Sequence, residues 1–352
     1  MSRPDLPPGE TPMRRSGPPG RRPETRAKAS RIPSRTGRRP PHAGRVPRGE
    51  RRCEDGAVSE ALSLGRSGRR ESSVLQVLTL FGDYWWGVTE PLPTGAILAA
   101  MADLGVKQPA ARATLVRMAQ AGILEVSRSG RRTSHRLAHR GVDMVQEQAG
   151  WLRTFGRIEP EWDGCWSVLM FSIPEAERAL RHRARALLRW SGYAPLYDGV
   201  WISPTGTVED TTVQLRDAGL LDVTSLRAPL AMTVPDGPLR AWDFAAVREE
   251  YARFLTRIPA REGPALGEGA ALAARTSLML RWQAFRHIDP GHPAELLPAD
   301  WPRSSARQEF VRTYDALGAR AEERMRDHVR AVDEALDAFV TPQRLGERSA
   351  TQ

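Results

Sequence analysis

Residues Val106–Leu137, VKQPAARATLVRMAQAGILEVSRSGRRTSHRL, decide the reading of the whole chain. The stretch opens as a helix. Pro109 sits in its first turn, where a missing N–H costs little, and Ala111, Leu115 and Met118 recur on one face before Gly122 ends it. Leu124 and Val126 then alternate as a strand, Arg128-Ser129-Gly130-Arg131 reads as a tight turn, and Thr133, His135 and Leu137 alternate on the return. Working outward, Thr94 is expected to cap a short helix carrying Ile97, Met101 and Leu104, which Gly105 breaks. Ahead of it, from Ser73, the positions Val74, Val77, Leu78 and Phe81 mark the apolar face of another helix.

Three helices followed by a β-hairpin is the order of a winged helix-turn-helix. Its charge agrees: between Lys107 and Arg140 the cations Lys107, Arg112, Arg117, Arg128, Arg131, Arg132, Arg136 and Arg140 stand against Glu125 alone. With the apolar face turned to the core, Gln108, Arg112, Thr114 and Arg117 are expected on other faces. Gln matches adenine, Arg matches guanine, and Thr suits a thymine methyl or a phosphate. Candidate DNA contacts are therefore Lys107, Gln108, Arg112, Thr114 and Arg117 on the helix. On the hairpin they are Arg128, Ser129, Arg131, Arg132 and His135, where flexible cations suit phosphates or a minor groove. The bland alternative is a run of solvated surface arginines; the coincidence of helix order, short turn and basic hairpin argues for the reader.

At 352 residues the chain has room for two or three domains. Residues 1–70 differ from the rest, with 17 Arg, 11 Pro and 9 Gly and no aromatic residue, and too little apolar surface to fold. Their net charge of +11 leaves the other 282 residues at −1, so the basic character of the chain belongs to this leader. The leader reads as an electrostatic arm on nucleic acid, a passive extension, or residues upstream of the true start. No apolar stretch follows the early arginines, which argues against a secretory signal, and no run of about 18 apolar residues could span a membrane. Cys53 and Cys165 are the two cysteines and form no metal-type pair. A reduced, cytoplasmic protein is expected.

Downstream, a linker helix over 142–161 leads to a second unit over 162–238. There Trp166–Phe171 is a strand, a helix runs from Pro174 through Trp190, and Tyr193–Leu196 and Val200–Ser203 form a hairpin about Asp198-Gly199. A helix over Val208–Ala218 and strands within Leu221–Leu226 and Ala231–Val234 complete a βαββαβ, ferredoxin-like order. Residues 239–342 read as helical: Phe244–Arg257, Gly269–Arg286, and Ser304 to Val340, the last with a stripe of Met325, Val329, Val332, Leu336 and Phe339. Such a stripe fits a core face or a partner-helix seam. Residues 343–352 are expected as a disordered tail. The fold class is thus α+β: a 71–141 winged helix-turn-helix, a central ferredoxin-like domain and a C-terminal helical domain.

Three blocks carry a family resemblance. They are LTLFGDYWW (78–86) with the basic hairpin GRRTSHRL (130–137), the stretch WDGCWSVLMFSIPE to LRHRARALLRWSGYAPLYDGVWISP (162–204), and AWDFAAVREEYARFL with PAELLPADWPRSSARQEFVRTY (241–314). Together they resemble the PaaX family, repressors of phenylacetic acid catabolism and their relatives, across about residues 73–320. The resemblance implies a homodimeric repressor that binds double-stranded operator DNA and releases it on binding an aryl-CoA or acyl-CoA effector such as phenylacetyl-CoA. It places the recognition helix at Gln108–Ala121 and the wing at Glu125–Leu137. The entry Val106-Lys107-Gln108-Pro109 lacks the Ser or Thr often found there, so base preference is expected to differ from relatives.

The central unit also resembles the small fold of a CRISPR-associated endoribonuclease, and an RNA-binding or RNA-processing role is the alternative. A metal-dependent nuclease of that kind needs a carboxylate at the end of its first strand. The chain reads Phe171-Ser172-Ile173-Pro174 there, so no catalytic residue, metal or cofactor is expected. His287, Asp289 and His292 have ligand-type side chains, but Pro290 and Gly291 interrupt their spacing, and a polar turn is the expected outcome. Most tryptophans are expected in the core. The competing reading is an effector pocket in which Trp190, Tyr193 and Trp201 meet an aryl group while Arg181, Arg185 and Arg189 meet phosphates through paired hydrogen bonds.

Overall fold

The structure, a computed structural model, describes residues 69–231, 236–258 and 266–346. The arginine-rich leader expected over 1–70 therefore lies outside the described residues except for the first two of the opening helix, and so do residues 347–352. The architecture is mixed helix and sheet with two antiparallel sheets.

The amino-terminal region begins with α1 (Arg69–Tyr84), followed by the two-residue strand β1 (Leu92–Pro93), α2 (Thr94–Asp103), α3 (Gln108–Gln120), β2 (Leu124–Ser129) and β3 (Arg132–Leu137). Val77, Leu78, Phe81, Ile97, Met101, Ala111, Leu115 and Met118 are all buried together, so the predicted apolar faces do converge. Gly105 and Gly122 take φ of 77° and 67°, which L-side chains rarely adopt. Each donates to the carbonyl three residues back, while Val106 and Ile123 reach five residues back, the bond pair of a Schellman stop. These two stops bracket α3 and set its short entry and exit.

Two local expectations are corrected. Thr94 is the first residue of α2 and Pro93 holds the cap position; the Thr94 hydroxyl donates instead to the Thr133 carbonyl at 2.7 Å, tying helix to hairpin. The hairpin turn is Gly130-Arg131 alone, since Ser129 pairs with Arg132 in the ladder. A glycine with positive φ at the first central position is what a two-residue II′ turn requires.

After α4 (His139–Thr154) comes the central unit: β4 (Trp166–Met170), α5 (Arg178–Trp190), β5 (Ala194–Tyr197), β6 (Val200–Ser203), α6 (Val208–Asp217) and β7 (Thr224–Ala228). Its sheet has the order β5-β6-β4-β7, with every pair antiparallel. Alternation divides its side chains. Leu169 and Trp201 pack with Ala184, Leu188 and Leu215 on the helical side, while Val168, Ile202 and Trp166 face Trp242, Leu239 and Leu296. The last strand lies later than the expected 221–226, because pairing Thr224 with Met170 and Ala228 with Trp166 puts it alongside β4. The second strand expected at Ala231–Val234 falls mostly outside the described residues.

The remaining helices are α7 (Phe244–Thr256), α8 (Glu268–Gln283), the single turn α9 (Phe285–Ile288), α10 (Arg303–Ala316) and α11 (Gly318–Arg330). One helix from Ser304 to Val340 does not form. The chain turns at Leu317, and after α11 the Asp333 carboxylate accepts from Ala335 N–H and opens a separate 3₁₀ turn, Glu334–Phe339. The apolar stripe nonetheless reaches the core: Met325 and Val329 are buried in the cluster that the first three helices also fill, with Leu336 and Phe339 packed against it.

One core therefore runs through both ends of the described chain. Fully buried Arg275 of α8 reinforces it, lying 3.8 Å from the Tyr314 ring and 5.1 Å from that of Tyr84, with Asp83 Oδ2 at 3.5 Å and the Gln343 carbonyl bonded to Nη2. Residues 343–346 are anchored and not loose: Gln343 N–H donates to Asp83, and Leu345 and Gly346 donate to the Asp315 carboxylate.

Candidate nucleic-acid interface

Packing fixes which residues α3 can offer. Ala111, Thr114, Leu115 and Met118 are buried; Arg112, Ala113, Val116, Arg117 and Gln120 are exposed on the other sides of the helix, and Gln108 is exposed at its amino terminus. Thr114 cannot serve as a DNA contact. It is 1% exposed, and its hydroxyl donates to the Ala110 carbonyl at 2.9 Å while accepting from Arg117 Nη2 at 3.0 Å. Lys107 holds the cap position without a side-chain cap bond, and Pro109 lies in the first turn. Pro109 carries no N–H, and the Ala110 and Ala111 N–H groups both donate to the Lys107 carbonyl, at 2.9 and 3.0 Å.

On the hairpin, Arg128, Ser129, Arg131 and Arg132 are all exposed at the turn. Arg132 Nη1 lies 3.4 Å from Asp333, a carboxylate just past the end of α11, so the hairpin tip touches the C-terminal region. Arg136 is paired with Glu125 at 2.7 Å, and Arg140 donates to the Ala121 carbonyl at the end of α3. His135 pairs in the ladder with buried Leu92 and is only 5% exposed, and burial holds its imidazole below the usual range. A neutral, covered ring is no phosphate contact. Among the described residues Lys107, Arg112, Arg128 and Arg131 have no acidic partner. Eight of the ten candidate residues are thus exposed, and two are removed. Ala113, Val116 and Gln120 are among the exposed α3 residues that charge counting passed over.

A second basic feature lies in the central unit. Arg181, Arg185 and Arg189 recur every fourth residue along α5 and line an open cleft of about 800 Å³ together with Phe171, Tyr197 and Trp201. Arg181 Nη2 donates to the Ile173 carbonyl, the Arg189 guanidinium lies 5.9 Å from the Trp201 ring, and Arg240 covers Tyr197 at 4.9 Å. Four of the six expected pocket residues meet here. Trp190 does not, since it stands against Arg286 and His287. Tyr193 is buried in the core beneath, its ring closed over by Gly206, where even a Cβ would lie 2.4 Å away. Exposed Tyr197 was missed because its strand alternation is broken by an irregularity after Pro195.

The His287, Asp289 and His292 turn resolves into a structural ion pair. Asp289 accepts from Arg303 Nε and Nη2 at 2.9 Å, from the Tyr251 hydroxyl at 2.6 Å and from Gly291 N–H. Burial works to raise its carboxyl, and the Arg303 bonds override it and hold it below the ordinary range. His292 is buried edge-on to Trp242 and Phe244, and loss of water lowers it to about 4. No cluster of three or more metal-ligating side chains occurs among the described residues. Asp163, ahead of the first central strand, is engaged by Arg227 at 2.8 Å. No helix among the described residues is long and apolar enough to cross a membrane.

Fold and site define a mixed α+β protein with an exposed basic helix and hairpin in its amino-terminal region. Three family models match in succession: PaaX-like protein over residues 70–141, PaaX protein central Cas2-like domain over 159–234, and PaaX-like protein C-terminal domain over 242–327. The chain belongs to the PaaX family. It is similar to the transcriptional repressor PaaX of Escherichia coli K12, with 26% identity over 259 residues, covering 70% of this chain and 80% of that one. In fold it is similar to the uncharacterised protein Rv0674 of Mycobacterium tuberculosis, with a TM-score of 0.50 and 24% identity, covering 72% of this chain and 96% of that one.

Proposed function

We propose that this chain is a sequence-specific DNA-binding transcriptional regulator, a cytoplasmic, non-enzymatic repressor acting as a homodimer. Residues 71–141 act as a winged helix-turn-helix, with α3 as recognition helix and β2–β3 as wing. Residues 162–238 form a ferredoxin-like scaffold and residues 239–342 the C-terminal helical domain. The observation that carries this reading is exposure: Gln108 and Arg112 of α3 and the hairpin cations Arg128 and Arg131 all reach solvent, with no acid to neutralise the arginines among the described residues. Guanidinium and amide groups left free in this way suit base edges and phosphates. Similarity to a transcriptional repressor points the same way.

The effector is an aryl- or acyl-CoA thioester in the α5 cleft, its phosphates met by Arg181, Arg185 and Arg189 and its acyl end by Trp201 and Tyr197. Selection of bound duplexes from a random pool, repeated with phenylacetyl-CoA and other thioesters present, tests both halves. A recurrent sequence that is released by one thioester is expected. Equal capture of all duplexes at physiological ionic strength would end the regulator reading. A sequence preference indifferent to every thioester, with no change in tryptophan fluorescence, would end the effector assignment alone.

A further inference from the structure

We infer that Val116, supported by Ala113, reads a thymine methyl group in the bound duplex; the inference rests on the DNA-binding role proposed for α3. Val116 is 55% exposed, in the middle of a helix whose own core contacts come from Ala111, Leu115 and Met118. A β-branched residue in an exposed helix interior costs rotamer freedom, and here more than half of its surface stays open to solvent. Ala113 lies one turn earlier on the same face and is exposed as well, with Arg112 beside it and Gln120 one turn beyond Val116. The exposed strip therefore alternates polar readers with a small apolar patch. In the major groove the apolar feature available to such a patch is the C5-methyl of thymine. The hydroxyl of Thr114, the other residue suited to that methyl, is turned inward to Ala110.

The geometry also gives a spacing. Arg112 and Val116 are four residues apart, about 6 Å along the helix axis. Base pairs stack at about 3.4 Å, so the methyl lies one or two base pairs from the guanine that Arg112 meets.

The test uses the full chain and its selected duplex, with each thymine replaced in turn by deoxyuridine, which removes only the methyl. For the wild-type protein at least one replacement, within two base pairs of the guanine identified by Arg112→Ala, is expected to weaken binding about four-fold. Val116→Ala, a surface change expected to leave the melting temperature unaltered, should lose that penalty and relax the base preference at that position. If no replacement weakens wild-type binding, or if the same penalty persists in Val116→Ala, the assignment is overturned while the DNA-binding role stands. A protein without any duplex preference overturns both.

Discussion

Arg303 and Arg112 carry one side chain into opposite surroundings. Arg303 is buried, gripped by Asp289 on two sides, by Glu159 at 2.9 Å and by the His292 carbonyl. Arg112 stands on the outer face of α3 with no acid near it among the described residues. The C-terminal helices repeat the first pattern in Arg275 and Arg307, the latter donating to the Leu152 and Phe155 carbonyls. The hairpin repeats the second in Arg128 and Arg131. A buried guanidinium must have its donors satisfied or the fold suffers, so those arginines act as cement. An exposed cation without a partner adds nothing to stability, and its value lies in what it can meet from outside.

The contrast breaks most sharply on Arg303. Arg303→Met leaves Asp289 as a buried charge and should lower stability by about 3–5 kcal/mol in denaturant titrations. Adding Asp289→Asn should recover part of that loss; a single variant as stable as the parent would undo the cement argument.

His292 gives the pH arm. Its folded value of about 4 lies below the ordinary 6.5, so the unfolded chain binds the proton first as pH falls. The contribution is fully present above about pH 6.5, is lost on the way down to about pH 4, and is on the order of 3 kcal/mol. His292→Phe should flatten that part of the stability profile; an unchanged profile would place the acid sensitivity elsewhere.

The exposed set should leave stability alone and move binding. Arg112→Ala should cost about 1–3 kcal/mol on the preferred duplex and relax its base preference. Unchanged affinity would mean that α3 is not the reader. Arg131→Ala should weaken all duplexes alike and lower the slope of log affinity against log salt by about 0.9. The smallest effect belongs to Asp333→Asn, which frees Arg132 from an exposed pair worth under about 1 kcal/mol. Binding to any duplex should rise slightly at low salt; a fall would show that the contact helps to hold the hairpin in place.

Much of this was legible in the chain. The spacing of Ala111, Leu115 and Met118 gave the buried face of α3, and the hairpin followed from alternation about a glycine turn. Thr114 was misplaced although the signal existed, since it lies three residues after Ala111 and beside Leu115, on their side of the helix. His135 likewise alternates in step with Leu137 and opposes fully buried Leu92, and so faces the interior. The α5 arginines were legible from their four-residue spacing, which puts them on one side of a helix. What periodicity could not give was distance in space. Asp103 of α2 meets Arg324 and His328 of α11 at 2.7 Å across more than 200 residues, and Asp289 meets Arg303 across a turn of irregular backbone. Local pattern names which face is apolar and leaves open which distant element will cover it.

Met325 and Val329 share one core with the first three helices, and Gln343 is pinned to Asp83 of α1. The region proposed to contact DNA is therefore no detachable cassette. Excised and grafted onto a foreign partner, it would arrive with its greasy floor open to water. Chimeras in this lineage should succeed only when the closing helices travel with the opening ones.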